Sequence, residues 1–539
     1  MSSIPAGRSP NGLTISTRRR TSDHGLTGKA SPIVPTISIP LLREAIDTLD
    51  TRMATLMNRR HELETHLERA VRLQSPVLRL PSELLSSIFV MGVLEIGDED
   101  PVMVSTLMLV CRYWSEVALN TPVLWTKISV SPHDTLEKTR RKLERSKSCP
   151  LDISINFEPR MDYTTSIIEH VIRAMELIRP ALWRTKSFRL SVPNRPQAHA
   201  ALLRCQENAP LLETLSIHIH HSMQDDSYSS PLLPLFKGYT PRLQSCSLTS
   251  FNFGWDHRLM TNLRVLKLAG YFNAFTPSAS TLLDVFRQCP DLEELALRNI
   301  SSSSVDFDTC HSNDFSPPPL SRLIQLRRLT RLSLYYSGIG LTRQIMSHVA
   351  FPRLQSLEMC YLENVTPVFQ LLYVQASTRL PLQHLRVESC LFNEINFINF
   401  LQRVPSLVSL ELVDIDDTSS AFLKSLSSSQ SWVCPQLEIL SLHGCTAYDW
   451  DSLRGLVECR LSTIPLAYPQ PQPSLTSCAA SICLKGQVQP EIDHLPSVTP
   501  RRLRAIDVTR CSQISKEMVQ WLRIYVNEVK CEPAKGVWG

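Results

Sequence analysis

Histidines close to acidic residues are the first places to look for chemistry in this sequence, because such groups bind zinc and transfer protons. Residues 61–66 are His-Glu-Leu-Glu-Thr-His, with the two histidines five positions apart. At 100° per residue on a helix these side chains point about 140° apart, so they cannot share one metal ion. His218, His220 and His221 cluster beside a predicted strand, a pattern that favours surface histidines over a metal site.

Phosphate-binding and nucleophilic motifs are also missing from the sequence. Residues 25–30, Gly-Leu-Thr-Gly-Lys-Ala, lack the spacing of a P-loop, and Gly338-Ile339-Gly340 has no third glycine. No Gly-x-Ser-x-Gly elbow occurs in the sequence. We therefore expect no catalytic residues, no metal and no cofactor, and a protein that is not an enzyme.

The composition excludes several broad classes of protein. The chain has 539 residues, and its 56 Lys+Arg against 51 Asp+Glu give a net charge of +5, too little for a dedicated nucleic-acid binder. Its 16 glycines argue against folds that hold phosphates on glycine-rich loops. The length exceeds one ordinary compact domain, which predicts several units or one elongated array.

Cysteine usage and hydropathy predict the compartment. The 15 cysteines are odd in number, run from Cys111 to Cys531 and form no Cys-x-x-Cys pair, as expected of reduced and mostly buried thiols. The N-terminus has no apolar core of signal-peptide length, and no stretch reaches the roughly 18 apolar residues that span a bilayer. We expect an intracellular protein, in the cytoplasm or the nucleus, without membrane contact.

The N-terminal residues divide into a tail and a long helix. Residues 1–39 are rich in Ser, Thr, Pro, Gly and Arg and show no periodicity, which predicts disorder. Over 40–74, apolar residues alternate at spacings of four and three, which predicts a helix with one narrow apolar stripe, interrupted at Arg60. The stripe consists of Leu42, Ile46, Leu49, Met53, Leu56, Leu63 and Leu67. A homodimeric coiled coil through 41–73 and packing on the next domain both explain it.

Residues 76–128 form three apolar helical segments in a short stretch of chain. Pro81 suits the first turn of the first helix, where its missing N–H costs nothing, and Glu83 complements the positive end of the helix dipole. A three-helix unit of about 50 residues cannot bury all its apolar faces on itself. A partner that covers them gains roughly 1.5–3 kcal/mol per large side chain.

The order of motifs resembles the F-box family: Leu-Pro-x-Glu-Leu-Leu-x-x-Ile-Phe from Leu80, Val-Cys-x-x-Trp from Val110, and Pro-x-Leu-Trp from Pro122. The heptad helix before it is similar to that of a group of fungal F-box proteins, whereas the loop 97–100 is longer and more acidic than is usual for the family. The resemblance implies binding to the Skp adaptor and, through it, to a cullin–RING ubiquitin ligase.

The candidate adaptor contacts are Leu80, Pro81, Leu84, Leu85, Ile88, Phe89, Val110, Cys111, Trp114, Val117, Leu124 and Trp125. Packing of these side chains only against the 40–74 helix and the next domain is the alternative.

A repeated phrase fills the rest of the chain: Leu, two residues, Leu, one residue, and another aliphatic residue. It starts at Leu212, Leu243, Leu263, Leu292, Leu329, Leu354, Leu382, Leu407, Leu437 and Leu503. From 212 to 437 eight steps cover 225 residues, a mean of about 28, which is typical of leucine-rich repeats. Cys390, Cys445 and Cys511 stand eight positions after the first leucine, where such repeats place Asn or Cys.

The sequence thus predicts an α/β protein: a short N-terminal helix, a three-helix F-box and an irregular leucine-rich-repeat solenoid, or horseshoe, over 129–530. Insertions are expected at 222–239, 301–319 and 461–499. Strand residues between the buried leucines should face outward and bind a target protein. These candidates are Arg298, Arg331, Tyr335, Glu358, Arg386, Glu388 and Glu411.

Two functions follow from this organisation. The first is a non-catalytic substrate-receptor subunit of an SCF-type ubiquitin ligase, with the target protein unknown. The second is a non-degradative interaction scaffold that dimerises through 41–73.

Overall fold

A computed structural model describes most of the chain. The described residues are 38–74, 76–95, 101–157, 165–220, 235–251, 255, 258–272, 276–301, 323–376, 380–416, 418–428, 432–461 and 500–532. The predicted tail lies outside them except for residues 38 and 39, as do nearly all of the expected insertions at 301–319 and 461–499 and the acidic loop at 97–100. The chain divides into two compact units, residues 1–85 and 86–539.

The first unit contains one long helix, α1, Ile39–Gln74, where the heptad pattern predicts it. Its 36 residues correspond to a length of about 54 Å. Pro40 occupies the first turn, where proline is tolerated, and a 3₁₀ turn follows at Val77–Arg79. The stripe residues of α1 are all exposed, by between 46% and 70%.

Three further helices and a 3₁₀ turn follow: α2 Ser82–Glu95, which crosses the boundary of the two units, α3 Pro101–Val110, α4 Arg112–Leu119 and Pro122–Trp125. Local sequence explains where they begin. Pro101 and Pro122 stand at helix starts, and the extended Cys111 accepts a hydrogen bond from the Trp114 backbone N–H at 3.5 Å through its sulfur.

The second unit continues as an alternation of strands and helices, so the predicted α/β class is confirmed. Its remaining helices are α5 Leu136–Arg145, α6 Thr165–Ile178, α7 Arg195–Leu202, α8 Ala279–Gln288, α9 Ile339–His348, α10 Thr366–Gln375, α11 Glu394–Gln402, α12 Ser420–Ser427, α13 Trp450–Cys459 and α14 Lys516–Tyr525. Its strands are β1 Lys127–Val130, β2 Leu151–Asn156, β3 Thr185–Val192, β4 Thr214–Ile219, β5 Ser245–Thr249, β6 Val265–Phe272, β7 Glu294–Ser301, β8 Ile324–Gln325, β9 Arg331–Tyr335, β10 Val349–Ala350, β11 Ser356–Cys360, β12 His384–Glu388, β13 Ser409–Val413, β14 Ile439–Ser441, β15 Ala505–Asp507 and β16 Glu528–Lys530.

Fourteen of these strands form one parallel sheet. Their order in the sheet is their order in the chain, from β1 to β16, and β8 and β10 form a separate parallel pair. β1 and β16 stand at the two ends of this sheet. None of the helices among the described residues is long and apolar enough to cross a membrane.

The leucines of the repeated phrase align across the sheet. In the run from β4 to β15 the second position of each phrase pairs with the second position of the next, for example Leu357 with Leu385 and Leu385 with Leu410. The first leucines of the ten phrases are at most 3% exposed. Each fully buried leucine stabilises the fold by about 2 kcal/mol, so the ladders form the main core.

A left-handed residue recurs seven positions after the first leucine, just after the strand or, in β6 and β7, within its last residues. The residues are Ser250, Gly270, Asn299, Tyr336, Tyr361, Ser389, Asp414, Gly444 and Arg510, with φ between 47° and 70°. Glycine and asparagine adopt this conformation easily, whereas bulky side chains are strained in it. The turn therefore requires one backbone shape, even where the sequence places a tyrosine.

The next position explains the three cysteines singled out in the sequence. The buried Cys390, Cys445 and Cys511 thiols approach carbonyl oxygens of the preceding strand region, at 3.5 Å (Met359), 3.6 Å (Leu412) and 3.0 Å (Leu442). Burial raises the pKa of each thiol to about 11. These thiols are therefore protonated, weak hydrogen-bond donors that help to join neighbouring strands.

The ends of the sheet differ from the expectations. The predicted box ends at 128, inside β1, so the last turn of the box runs directly into the first strand. The last helix, α14, is followed by a further strand, β16. The expected insertion at 222–239 also contributes to the core, since Leu235 and Phe236 in the 3₁₀ turn Leu235–Gly238 are buried.

Candidate functional site

The part of the box in the second unit is held together by aromatic side chains. The rings of Phe89 on α2 and Trp114 on α4 lie 5.0 Å apart between centroids. Trp125 donates its indole N–H to the Ala118 carbonyl at 3.0 Å, and the guanidinium of Arg145 lies 4.5 Å from the Trp125 ring. These contacts combine aromatic packing with cation–π attraction.

The predicted adaptor contacts fall into three groups by exposure. Five are buried and therefore pack the protein itself: Leu85, Phe89, Val117, Leu124 and Trp125. Three are half-buried: Leu80, Cys111 and Trp114. Four are exposed: Pro81, Leu84, Ile88 and Val110.

The exposed apolar side of α2 includes one residue more than the sequence analysis predicted. Leu84 and Ile88 are 54% and 52% exposed, and Met91, three positions after Ile88, is 57% exposed. Their spacing of four and three places them on one side of the helix. Met91 was absent from the predicted contacts, although the same spacing could have identified it.

A second group of exposed apolar side chains lies on α3. Leu109 and Val110 at its C-terminal end are 85% and 55% exposed, and Val102 near its start is 61% exposed. The predicted contacts include only Val110. None of these side chains ionises or donates a hydrogen bond, so they can bind a partner only by removing apolar surface from water.

The predicted target-binding residues lie on the face of the sheet opposite the leucine ladders. Arg298 and Arg331 are exposed, and Tyr335, Glu358, Arg386, Glu388 and Glu411 are half-buried. Arg331 is already in an ion pair with Glu294 at 2.9 Å, and Lys267 binds the same carboxylate at 2.7 Å.

Arg386, Glu388 and Glu411 form one hydrogen-bonded network across β12 and β13. The guanidinium of Arg386 contacts a carboxylate oxygen of Glu388 at 2.6 Å and one of Glu411 at 2.9 Å. Burial by itself would raise the pKa of Glu388, but hydrogen bonds from Arg386 and Tyr361 and the guanidinium charge lower it below its ordinary value. Both carboxylates therefore hold Arg386 in place.

Three tyrosines adjoin this network. The rings of Tyr336 and Tyr361 are stacked at 4.6 Å, and Tyr335 packs edge-on against both, at 5.2 Å and 5.1 Å. The Tyr361 hydroxyl donates to Glu388 at 2.8 Å, and this carboxylate raises the pKa of Tyr361 to about 12. We call Tyr335, Tyr336 and Tyr361 the tyrosine cluster.

The sequence prediction included Tyr335 but not Tyr336 and Tyr361. The last two occupy the left-handed position after β9 and β11, at φ 48° and 54°. The prediction considered only positions within the strands. Tyrosine at a position that recurs every repeat was the signal that could have identified them.

Two of the histidines considered at the start, His218 on β4 and His220 just after it, lie next to each other. His218 and His220 contact each other with ring centroids 4.4 Å apart, and His220 shares a hydrogen bond of 2.9 Å with the Ser191 hydroxyl. His221 lies outside the described residues. Within the described part of the chain, no three His, Cys, Asp or Glu side chains are grouped to hold a metal ion.

Comparison with known proteins identifies the box. Residues 77–131 match the F-box-like family model. No curated protein matches the chain. The match covers the helices that carry the exposed side chains of α2 and α3, and F-box domains generally bind the Skp adaptor within SCF complexes. The F-box-like domain supports the interpretation of this chain as an F-box protein, with an SCF-type adaptor role in general. F-box proteins are generally non-catalytic substrate receptors.

Proposed function

We propose that the protein is a substrate receptor of an SCF-type ubiquitin ligase. The box at 77–131 binds the Skp adaptor, and the region 129–530 acts as an irregular leucine-rich-repeat solenoid that binds a target protein. The ligase then modifies the target because both are held in one complex, so no catalytic group is required in this chain.

The observation that carries this proposal is the exposed apolar side of α2. Leu84, Ile88 and Met91 are each more than half exposed, within a domain whose family generally binds an adaptor. Covering one such side chain is worth roughly 1.5–3 kcal/mol. Phe89 and Leu85 on the same helix are buried, so α2 has a side that packs the protein and a side that remains for a partner.

The tyrosine cluster supports target binding on the open face of the sheet. Tyr336 is 48% exposed although its backbone is left-handed, a conformation in which glycine or asparagine would be less strained. Tyrosine and arginine are the residues that most often dominate protein–protein interfaces. The network of Arg386, Glu388 and Glu411 holds the cluster through Tyr361.

Co-purification with the Skp adaptor tests the first half of the proposal. Ile88→Asp places a charge on the exposed side of α2 without entering the core, and we expect it to abolish capture of the adaptor by the full chain. Ile395→Asp is the matched control, because Ile395 on α11 is 67% exposed. Equal capture by all three proteins, or capture by none, contradicts the proposal.

Affinity purification with mass spectrometry tests the second half. We expect proteins that bind the intact chain to be lost from Tyr336→Ala, while the adaptor is retained. Ile88→Asp should show the reverse pattern, with targets retained and the adaptor lost. If Tyr336→Ala retains every protein that the wild type captures, the cluster is not the target site.

A further inference from the structure

The stripe of α1 is an apolar helix face that lies outside the proposed adaptor contacts and the proposed target contacts. Its residues are exposed by at least 46%, and among the side chains whose burial the structure describes, the core contains none from α1. Met57 and Val71, at positions flanking the stripe, are also exposed, by 64% and 47%. Exposed apolar surface of this extent is a mark of an interaction site.

The two rows of the stripe differ in side-chain shape. In heptad terms, one row, position d, holds Leu42, Leu49, Leu56 and Leu63, followed by Ala70. The other row, position a, is Ile46, Met53, Arg60 and Leu67, with Ile39 at its start. A β-branched residue at a with leucine at d favours a two-stranded parallel coiled coil, and Ile39 and Ile46 meet this preference. A single polar residue at a, here Arg60, fixes the register.

Charges next to the stripe agree with that arrangement. Arg60 forms an ion pair with Glu64 on its own helix at 2.9 Å, so its charge at the seam is balanced. In a parallel, in-register pair, Arg59 at position g lies opposite Glu64, at position e of the second helix. A full-length antiparallel pair would instead bring Arg52 of each helix opposite Arg59 of the other, which is repulsive.

We infer that a second copy of this chain occupies the stripe, as a parallel, in-register coiled coil over 41–73. Parallel helices place the following box of each copy at the same end of the coil. Two copies that recognise the same target would bind it through two linked sites, which raises the apparent affinity when the target offers both sites. The inference rests on α1 alone and does not require the proposed ligase function.

The mass of the full chain in solution, measured by sedimentation, tests the inference. We expect twice the 61.0 kDa of one chain for the wild type, and the monomer mass for the double variant Leu49→Asp/Leu56→Asp. The matched control is Thr48→Asp/Thr55→Asp, which adds the same charges to exposed positions of α1 outside the stripe. It should remain a dimer. A wild type that stays monomeric across the concentration range overturns the inference.

Disulfide cross-linking tests the direction of the helices. α1 has no native cysteine. In a parallel pair, Leu42→Cys and Leu67→Cys should each form cross-linked dimers alone, beyond the wild-type background. Cross-links that appear only when the two variants are mixed would show an antiparallel pair and overturn the inference. Arg60→Leu should tighten the dimer by about tenfold or more, because it removes the polar residue from the seam.

Adaptor capture separates this inference from the proposed function. The monomeric variant Leu49→Asp/Leu56→Asp should still capture the Skp adaptor, because the exposed side chains of α2 are unchanged. A dimer that captures no adaptor would support the coiled coil and contradict the ligase. A monomer that captures the adaptor would contradict the coiled coil and support the ligase function.

Discussion

Leucine recurs regularly in two regions of this protein, with opposite results. In the sheet, the first leucine of each phrase is at most 3% exposed, and second leucines pair with each other in register, as Leu357 does with Leu385 and Leu385 with Leu410. In α1, the leucines that recur every seven residues are exposed by 46% to 70%. The spacing explains the difference: a strand-and-helix repeat stacks on the next copy within the same chain, whereas a heptad stripe needs another helix.

The box contains both buried and exposed apolar side chains. α2 has buried residues, Leu85 and Phe89, and exposed ones, Leu84, Ile88 and Met91. A helix or strand whose apolar side chains are buried within its own chain stabilises the fold. One that keeps an exposed apolar side can bind a partner. From this comparison, the leucine ladders stabilise the fold, whereas adaptor binding by α2 and self-association through α1 are our proposals.

The largest difference should appear on truncating a leucine in each region. Leu385→Ala on β12 should lower the free energy of unfolding by about 2–5 kcal/mol, because it opens a cavity in the core. Leu49→Ala should change the free energy of unfolding of the second unit by less than about 0.5 kcal/mol, because Leu49 lies in the first unit. Urea denaturation followed by tryptophan fluorescence is a suitable measurement, because all 8 tryptophans lie after residue 85. Equal effects of the two changes would break the comparison.

A smaller effect is expected at the tyrosine cluster. Tyr336→Gly should change the free energy of unfolding by less than about 1 kcal/mol, because relief of a left-handed tyrosine of about 1–2 kcal/mol offsets the lost ring stacking and the flexibility of glycine. The same denaturation measurement checks it, with Tyr271→Ala, in the core, as the contrasting variant. A loss of several kcal/mol for Tyr336→Gly would make the cluster structural.

The smallest predicted effect depends on pH. The folded protein holds the pKa of Glu388 below its ordinary 4.5, so the ionised carboxylate stabilises the fold. This stabilisation is fully present above the ordinary pKa and is lost as the pH falls through the lower folded value. Because Arg386 is partly exposed, we expect at most about 1 kcal/mol. The difference in unfolding free energy between wild type and Glu388→Gln, measured from pH 7 down through 4.5, should shrink toward zero; a difference that grows on acidification is contrary to the account.

Much of this structure could be predicted from the sequence, for a physical reason. Leucines at fixed spacing specify both the strands and their register, and the heptads specify α1, since periodicity is a local property. Side chains whose role depends on distant neighbours could not be predicted. Arg460 is fully buried, and its guanidinium donates hydrogen bonds to the carbonyls of Leu426, Val433 and Cys434. These carbonyls come together only in the folded chain.

For the same reason, only part of each candidate site could be predicted from the sequence. The box motif identified α2 and its helical spacing, but which side of α2 remains exposed is decided by packing, so Phe89 and Leu85 were grouped with Ile88. On the sheet, alternation predicted the outward strand residues. It did not predict that Tyr336 and Tyr361, just beyond the strands, stack beside Tyr335.

Calorimetric titration of the full chain with the Skp adaptor tests the central claim most directly, that α2 keeps an apolar side for a partner. The account predicts binding with a negative heat-capacity change, as expected when apolar surface leaves water. It also predicts an affinity at least about 30-fold weaker for Ile88→Asp, which corresponds to losing one buried side chain worth about 2 kcal/mol, and no change for Ile395→Asp. Equal affinities for the wild type and Ile88→Asp, or no binding by the wild type, would contradict it.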